Sequence, residues 1–324
     1  MKSRRSFITG VGAGVLAFPL RTMAQQAPAA KRIGILLFNS PQIDPIGPLI
    51  QGLKDLGYED GKTIAIDYRF AEGRAERLPQ LAAELVALKP DVIFAFGGDV
   101  APHVKKATST IPIVALVSTD PVQGGLVASL ARPGGNITGV TQVYDELSGK
   151  VIELLKEAVP GVSRVAVLWN PDHADPEFQE IKRAGSTLGV HLTSLEVRRS
   201  ADFAAAFETA LRERSEGLII ISSRLLLQQR RQIVEFGANN RIVMAGNWSA
   251  WAKDGLLLTY GANANDMMRR IVIYMDKVLK GARPADLPME RPTRFELTLN
   301  QGTARKLGIA IPPTLLARAD EVIE

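Results

Sequence analysis

The stretch IGILLF at residues 33–38 decides the fold of this chain, because it is a continuous apolar run that stops at the segment NSP at 39–41. A strand that is apolar at every position is buried on both faces, which is typical of a parallel sheet covered by helices. Helical patterns and further apolar runs alternate after it at the spacing of a doubly wound sheet. The sequence therefore predicts an α/β fold.

The alternation falls into two successive runs, which predict two Rossmann-like lobes. In the first run we expect strands at 33–38, 63–68, 92–96 and 113–117, with helices near 45–56, 77–88, 100–108 and 124–131. In the second run we expect helices at 146–158, 175–188, 201–214 and 225–239, with strands at 164–169, 191–197, 217–222 and 241–245.

The remaining chain can cross back to the first lobe. It contains an apolar segment at 256–260, a long helix at 265–279 and a Pro-rich return at 283–292. Several crossings predict a hinge and not a flexible linker. We expect the first lobe to contain 31–141 and about 262–285, and the second to contain 142–261 and about 286–324.

Residues 1–24 have the pattern of an export signal. Arg4 and Arg5 precede an uncharged stretch at 9–20, which is too short to span a bilayer, and Ala24 closes an A-x-A-like cleavage site. The arginine pair followed by Phe7 resembles a Tat signal, and a Sec signal that contains two arginines is the alternative. We expect an exported, periplasmic protein.

Composition limits the partners of the mature chain. Removing residues 1–24 takes away four basic residues and no acidic one, which lowers the formal net charge from +5 to +1. Balanced charge gives no electrostatic case for nucleic acid or anionic lipid. The absence of cysteine excludes disulfides, thiolate metal sites and a lipid-modified N-terminal cysteine. We expect a soluble monomer without membrane insertion.

One long string, LVASLARPGGNITG at 126–139, is the most distinctive part of the sequence. Shorter distinctive strings are GLKDLGY at 52–58, ATSTIPIV at 107–114, DPV at 120–122, ELSGK at 146–150, VAVLWNP at 165–171 and IPPTLLARAD at 311–320. Together they resemble the TrpX-like family of ABC transporter substrate-binding proteins. The resemblance implies a type I periplasmic-binding-protein fold, with two lobes joined by three crossovers. Characterised members bind aromatic amino acids, and many others have no assigned ligand.

Ligands of open α/β sheets bind outside the carboxyl ends of the strands, so the residues that follow each strand are the candidates. The first group is Gly97, Gly98 and Asp99, where glycines and free N–H groups at a helix start suit a carboxylate. The alternative is a tight turn with Asp99 as the helix N-cap.

The second group is Ser118, Thr119 and Asp120. We expect Asp120 to bind an ammonium group, with hydroxyls beside it; the alternative is a helix cap before Pro121. Ser40 and Gln142 are weaker candidates in the same lobe.

In the second lobe, the residues that follow strands would close on the ligand from the opposite side. The candidates are Asn170, Ser222, Asn247, Trp248 and Tyr260. The two aromatic side chains can stack on a ligand or simply pack. Arg224 can bind an acidic ligand, but a solvated or lobe-bridging arginine is the favoured interpretation.

No nucleophile elbow, H-E-x-x-H motif or P-loop is present, and no histidine pair has metal-ligand spacing. Of the three histidines, His103 and His191 have structural positions, and His173 lies on the expected lip of the cleft. We therefore predict no enzyme activity, cofactor or metal. The prediction is a receptor that closes on an aromatic or branched aliphatic amino acid and delivers it to an inner-membrane permease. The alternatives are a ligand sensor for a receptor kinase and a secreted enzyme.

Overall fold

The computed structural model describes residues 31–44, 46–97, 99–142, 148–172 and 177–324. In these residues the chain forms two sheets, each with an apolar core on both faces. This confirms the predicted α/β fold with two doubly wound lobes. The predicted export signal lies outside the described residues.

The first lobe is built on a five-stranded parallel sheet of order β2-β1-β3-β4-β5. Its strands are β1 (Lys31–Leu37), β2 (Ile64–Phe70), β3 (Val92–Phe96), β4 (Ile113–Val117) and β5 (Ile137–Thr141). Its helices are α1 (Gly47–Asp55), α2 (Leu78–Ala87) and α3 (Ala101–Ala107). Ile33 and Ile35 pack on one face of this sheet and Leu36 on the other, which explains why β1 is apolar throughout.

The second lobe is built on a seven-stranded sheet of order β12-β11-β10-β9-β8-β6-β7, in which β11 runs antiparallel to β10. Its strands are β6 (Arg164–Trp169), β7 (His191–Glu196), β8 (Gly217–Ile220), β9 (Val243–Gly246), β10 (Leu258–Ala262), β11 (Phe295–Asn300) and β12 (Glu321–Ile323). The helices that follow β5 are α4 (Ser148–Ala158), α5 (Glu177–Thr187), α6 (Phe203–Arg212), α7 (Arg224–Gln228), α8 (Arg230–Asn239), α9 (Ala250–Asp254), α10 (Ala264–Leu279), α11 (Gln301–Leu307) and α12 (Pro313–Leu316).

Helix α10 follows the second lobe in sequence but packs against the first sheet. Its residues Met267, Ile271 and Met275 are buried in the same cluster as β1 and α1. The Tyr58 hydroxyl donates to Asp276 Oδ1 over 2.9 Å, and burial together with this bond raises the pKa of Tyr58 to about 12. The chain thus passes between the lobes after β5, after β10 and before β11.

Within the described residues, no helix is both long enough and apolar enough to cross a membrane.

Most predicted elements lie within a few residues of the observed ones, with two corrections. The predicted helix at 124–131 is wrong: residues 121–125 form turns, the N–H groups of Leu126 and Val127 both donate to Pro121 O, and both side chains are buried. The predicted helix at 225–239 is divided at Gln229 into α7 and α8. The sequence patterns did not predict β5, α9, β11, α11, α12 and β12.

Candidate functional site

The carboxyl ends of the parallel strands in the two lobes face each other across a crevice. Direct contacts cross it where α7, which follows β8, meets the turns after β1 and β3. Polar residues also follow β4 and β5 in the first lobe and β6 and β9 in the second. This is the place expected for a ligand in such folds.

Arg224 connects the two lobes. Its Nε donates to the two carboxylate oxygens of Asp99 over 2.9 and 2.7 Å, and its Nη1 donates to Asp44 Oδ2 over 3.1 Å. Its Nη2 donates to Phe96 O over 2.8 Å, and the guanidinium lies 4.5 Å from the centre of the Phe38 ring. The favoured interpretation of Arg224 as a lobe-bridging residue therefore describes its contacts.

Asp44 is the other acid of this contact, and the sequence analysis did not single it out. Asp44 is 1% exposed. Its carboxylate accepts hydrogen bonds from the Asn39 backbone N–H over 2.8 Å and from the Asn39 side-chain amide over 3.1 Å. Gln228 of α7 in turn donates to Asn39 Oδ1 over 3.3 Å. The one sequence feature that could have indicated Asp44 as a site residue is its position, seven residues after the end of a buried strand.

Asp99, in the turn after β3, is not the N-cap of α3, which was the alternative interpretation of this residue. The N-cap of α3 is Val100, which makes no side-chain capping bond, and Asp99 pairs with Arg224 instead. Gly97 has φ of 120°, and a Cβ there would lie 1.8 Å from Arg224 Nη2. Gly97 therefore gives space to the arginine. Gly98 lies outside the described residues.

The turn after β4 is held by Asp120. Its Oδ1 accepts the N–H groups of Val122 and Gln123 over 2.8 and 3.0 Å, so one oxygen of the carboxylate orders the local turn. Ser118 and Thr119 are half-buried beside it, and Thr119 O accepts a hydrogen bond from Thr141. This turn keeps three polar side chains at the crevice.

Asn247 and Glu177 form the most strongly ordered polar group on the second lobe. Glu177 is 5% exposed at the start of α5, and the Asn247 amide donates to both of its oxygens over 3.0 and 2.9 Å. This contact fixes which end of the amide is nitrogen. Asn247 Oδ1 is buried and has no hydrogen-bond partner among the described residues. Glu177 lies inside the helix predicted at 175–188, where nothing in the sequence marks it as a site residue.

The structure distributes the other predicted residues around the crevice and its hinge. Ser40 is half-buried in the turn after β1, and Gln142 follows β5 and donates to Met267 Sδ of α10 over 3.5 Å. Asn170 accepts the Asp172 N–H over 2.9 Å, and Ser222 is half-buried two residues before Arg224.

Two aromatic predictions have partly structural surroundings. Trp248 packs on the apolar cluster that contains the fully buried Trp251. The ring of Tyr260 lies 6.2 Å from the ring of Phe295, centre to centre and tilted by 33°, and it lines a 480 Å³ cavity between α4 and α5 together with Lys150 and Arg183. His173 lies outside the described residues. Within the described ranges, no group of His, Cys, Asp and Glu residues has an arrangement suited to a metal ion.

Comparison with known proteins identifies relatives over nearly the whole chain. The family model for ABC transporter substrate binding protein matches residues 33–323. A tyrosine-binding protein from Clostridioides difficile (strain R20291) is 26% identical over 282 residues, which cover 86% of this chain and 81% of that protein.

Solved structures share the fold. An ABC domain from Streptococcus pneumonia in complex with L-Trp matches with a TM-score of 0.82 and 24% identity, covering 91% of this chain and 100% of that one. A ligand-free, open substrate-binding protein with adhesive properties from Clostridium difficile matches with a TM-score of 0.68 and 24% identity, covering 90% and 99%. More distant matches include a periplasmic binding protein/LacI transcriptional regulator from Alkaliphilus metalliredigens QYMF, with a TM-score of 0.56 and 11% identity, covering 82% of this chain and 97% of that one. The present arrangement thus superposes better on the L-Trp complex than on the open protein.

Proposed function

We propose, from the premise that this chain belongs to the ABC transporter substrate-binding protein family, that it binds an amino acid between its lobes and delivers it to an inner-membrane permease. The names of the similar proteins support an aromatic amino acid, because one is a tyrosine-binding protein and another was crystallised with L-Trp. The mechanism is domain closure: a ligand that contacts both lobes stabilises the closed form by its differential affinity.

The observation that carries the amino-acid class is the buried Asn247 Oδ1, which lacks a partner among the described residues. A buried acceptor without a donor is unfavourable by about 1–3 kcal/mol. The α-ammonium group of an amino acid supplies donors for this oxygen, and the Glu177 carboxylate beside it supplies the opposite charge.

The first lobe supplies the facing groups. We propose that the hydroxyls of Ser118 and Thr119 bind the ligand carboxylate, and that Asp120 contributes negative charge to the ammonium side of the crevice. Asp120 keeps this proposed role although Oδ1 orders the local turn, because its charge is still at the crevice. The remaining proposed contacts are Ser40, Gly98, Gln142, Asn170, Ser222, Trp248 and Tyr260; Gly97 and Asp99 are not among them, because Arg224 occupies both.

We also propose that the protein acts as a monomer in the periplasm, without catalysis, after export through the signal at residues 1–24. The proposed first lobe is 31–141 with about 262–285, a division supported by the packing of α10 on the first sheet. Fusing residues 1–30 to a reporter that is active only after Tat export should give signal, and replacing Arg4 and Arg5 by lysine should remove it. Signal that survives this replacement would indicate Sec export.

The binding proposal is tested by a thermal-shift screen of residues 25–324, unfolded and refolded to remove any carried ligand. Amino acids, small organic acids and aromatic metabolites are compared. A ligand at about 100 times its Kd adds about 2.7 kcal/mol to the free energy of unfolding, which raises the midpoint visibly. A selective rise with L-Trp, L-Tyr or a branched aliphatic amino acid supports the proposal, and no rise with any amino acid contradicts it.

Charge at the crevice is tested by Asp120→Asn, which keeps an oxygen for the Val122 and Gln123 N–H groups. We expect amino-acid affinity to fall by about tenfold or more, while the midpoint of the apo protein changes little. Asp172→Asn is the matched control, because Asp172 is exposed and pairs with Arg198. Equal affinities of the two variants would remove Asp120 from the site.

A further inference from the structure

We propose that Arg224, Asp99 and Asp44 form a clasp that holds the lobes together before any ligand binds and thereby sets ligand affinity. The part of the proposal that concerns affinity rests on the proposed function, whereas the part that concerns closure does not. The clasp is defined by these three side chains, and Phe96 O and the Phe38 ring complete the surface that receives the guanidinium.

The guanidinium is fully engaged by the opposite lobe. Its three nitrogens donate to three different groups of the first lobe, namely Asp99, Asp44 and Phe96 O. Its side chain is only 18% exposed. Planar, multidentate pairing of this kind is strong and orientation-specific, and a lysine cannot reproduce it.

The first lobe is shaped to receive this arginine. A side chain at position 97 would collide with Nη2, so the residue there is glycine. The Asp44 side chain is 2% exposed, and its orientation is fixed by two hydrogen bonds from Asn39. A buried carboxylate requires compensation, and the only cation that contacts Asp44 in the described residues belongs to the other lobe. Separating the lobes therefore breaks the pairing between Asp44 and this cation.

The clasp is separate from the proposed ligand groups. It joins the turns after β1 and β3 to the start of α7, whereas the proposed ammonium and carboxylate groups follow β4, β6 and β9. Because β8 lies between β6 and β9, and β3 is next to β4, joining the lobes at the clasp also brings these neighbouring turns together, so the clasp favours the binding-competent arrangement without contacting the ligand. Apparent affinity is proportional to the fraction of molecules in that arrangement.

Closure is tested first, on residues 25–324 without ligand. The chain contains no cysteine, so Lys106→Cys in α3 and Lys182→Cys in α5 place two dye labels on exposed positions of opposite lobes. We expect a single short-distance population for the parent. Arg224→Ala should shift the distribution to longer distances, and Arg224→Lys should give an intermediate distribution because it keeps the charge but not the three-way bonding.

Arg231→Ala is the matched control, since this arginine lies in α8 and pairs with Glu235 on its own helix. Asp99→Asn is a second way to break the clasp if Arg224→Ala fails to fold, and far-UV circular dichroism monitors folding. A distance distribution that is unchanged in both Arg224→Lys and Asp99→Asn would overturn the proposal.

Affinity is tested with L-Trp and L-Tyr as the probes. We expect Arg224→Ala to weaken binding of the accepted amino acid on the order of tenfold or more, mainly through faster dissociation. In a double-mutant cycle, the effects of Arg224→Ala and Asp99→Asn on the binding free energy should be strongly non-additive. If no amino acid binds the parent, the proposed function fails while the label distances still test the clasp. If affinity is unchanged although the lobes open, the affinity part of the proposal is wrong.

Discussion

The two lobes have the same succession of five parallel strands, and they differ where their third strand ends. Asp91 precedes β3 and Glu216 precedes β8, and each carboxylate accepts a backbone N–H at the start of the first strand of its own lobe. Arg32 N–H donates to Asp91 over 2.8 Å, and Ser163 N–H donates to Glu216 over 2.7 Å. The same device therefore fixes the amino end of the sheet in both lobes.

Eight residues after these carboxylates, the lobes carry opposite charges. Asp99 follows Asp91 at that spacing, and Arg224 follows Glu216 at the same spacing. The two equivalent turns face each other, and Arg224 Nε lies 2.7 Å from Asp99 Oδ2. The comparison shows that common strand geometry sets where the turns lie, while a single change of charge makes two equivalent turns complementary.

The lobes also differ in how their sheets are completed. The first has five strands and receives α10 from the far end of the chain, whereas the second adds β11 and β12 beyond β10. Their apolar clusters are separate, with Phe94 in the first lobe and Phe203 in the second. This difference suggests that each lobe has its own unfolding transition.

The largest expected effect comes from removing one of these core rings. Phe94→Ala should lower the free energy of unfolding of the first lobe by about 3–5 kcal/mol, because Phe94 is fully buried. The three tryptophans, Trp169, Trp248 and Trp251, all lie in the second lobe, so their fluorescence reports that lobe alone. In urea, the circular dichroism should then show an early transition that the fluorescence does not follow.

The reciprocal variant Phe203→Ala is the control. It should move the fluorescence midpoint by a similar amount. If Phe94→Ala moves the fluorescence midpoint as far as the circular dichroism, the lobes unfold as one unit and the comparison of separate cores is wrong.

A smaller effect tests the shared carboxylate device. Hydrogen bonds from the Ser163 backbone N–H and its neighbours outweigh burial and lower the pKa of Glu216 below its ordinary value of 4.5. The stabilisation is therefore present above the unfolded pKa and is lost as the pH falls through the lowered folded pKa. Glu216→Gln should cost about 1–2 kcal/mol at pH 7, allowing for the partial exposure of the side chain.

The same variant should approach the stability of the parent as the pH falls through the lowered folded pKa of Glu216, since the parent then loses the charge as well. Asp91→Asn is the counterpart in the first lobe. There burial opposes ionisation, but the N–H of Arg32 and the Lys31 ammonium outweigh it and lower the pKa of Asp91. Denaturation midpoints measured from pH 3 to 7 should converge for both variants; a constant offset for either would show that the charge is not what stabilises that lobe.

The smallest expected effect contrasts two buried threonines. Thr138 in β5 donates to Leu287 O over 2.7 Å, whereas Thr298 Oγ1 in β11 has no hydrogen-bond partner in the described part of the chain. Thr138→Val should therefore destabilise the protein by about 1 kcal/mol, and Thr298→Val should be neutral or slightly stabilising. Equal losses in thermal midpoint would mean that Thr298 has a partner after all, for example a bound water.

The fold was largely predictable because buried segments have apolar patterns that can be recognised in the local sequence. Strands β3, β4 and β6 were predicted with the observed bounds, since each is a short apolar run between turn residues. The helix at 124–131 was wrongly predicted because the apolar residues of this segment have helical spacing. Turns bury Leu126 and Val127 there as effectively as a helix does. The short elements beyond β10 have too few residues to show a period.

The inter-lobe contacts were not predictable from local pattern. Arg224 is separated from Asp99 by 125 residues and from Asp44 by 180. Similarly, Asn247 and Glu177 are 70 residues apart, and only the fold brings them together. The sequence indicated which turns carry polar residues, because these follow strands, but which of them pair with each other depends on how the lobes meet.

The central claim is that the crevice binds an amino acid through its ammonium group, and isothermal titration calorimetry of refolded residues 25–324 tests it most directly. L-Trp and L-Tyr are titrated beside indole-3-propionate, which is L-Trp without the ammonium group. The account predicts saturable binding of one molecule of L-Trp or L-Tyr per chain and no detectable binding of indole-3-propionate. Absence of binding by both amino acids, or equal binding of indole-3-propionate and L-Trp, would contradict it.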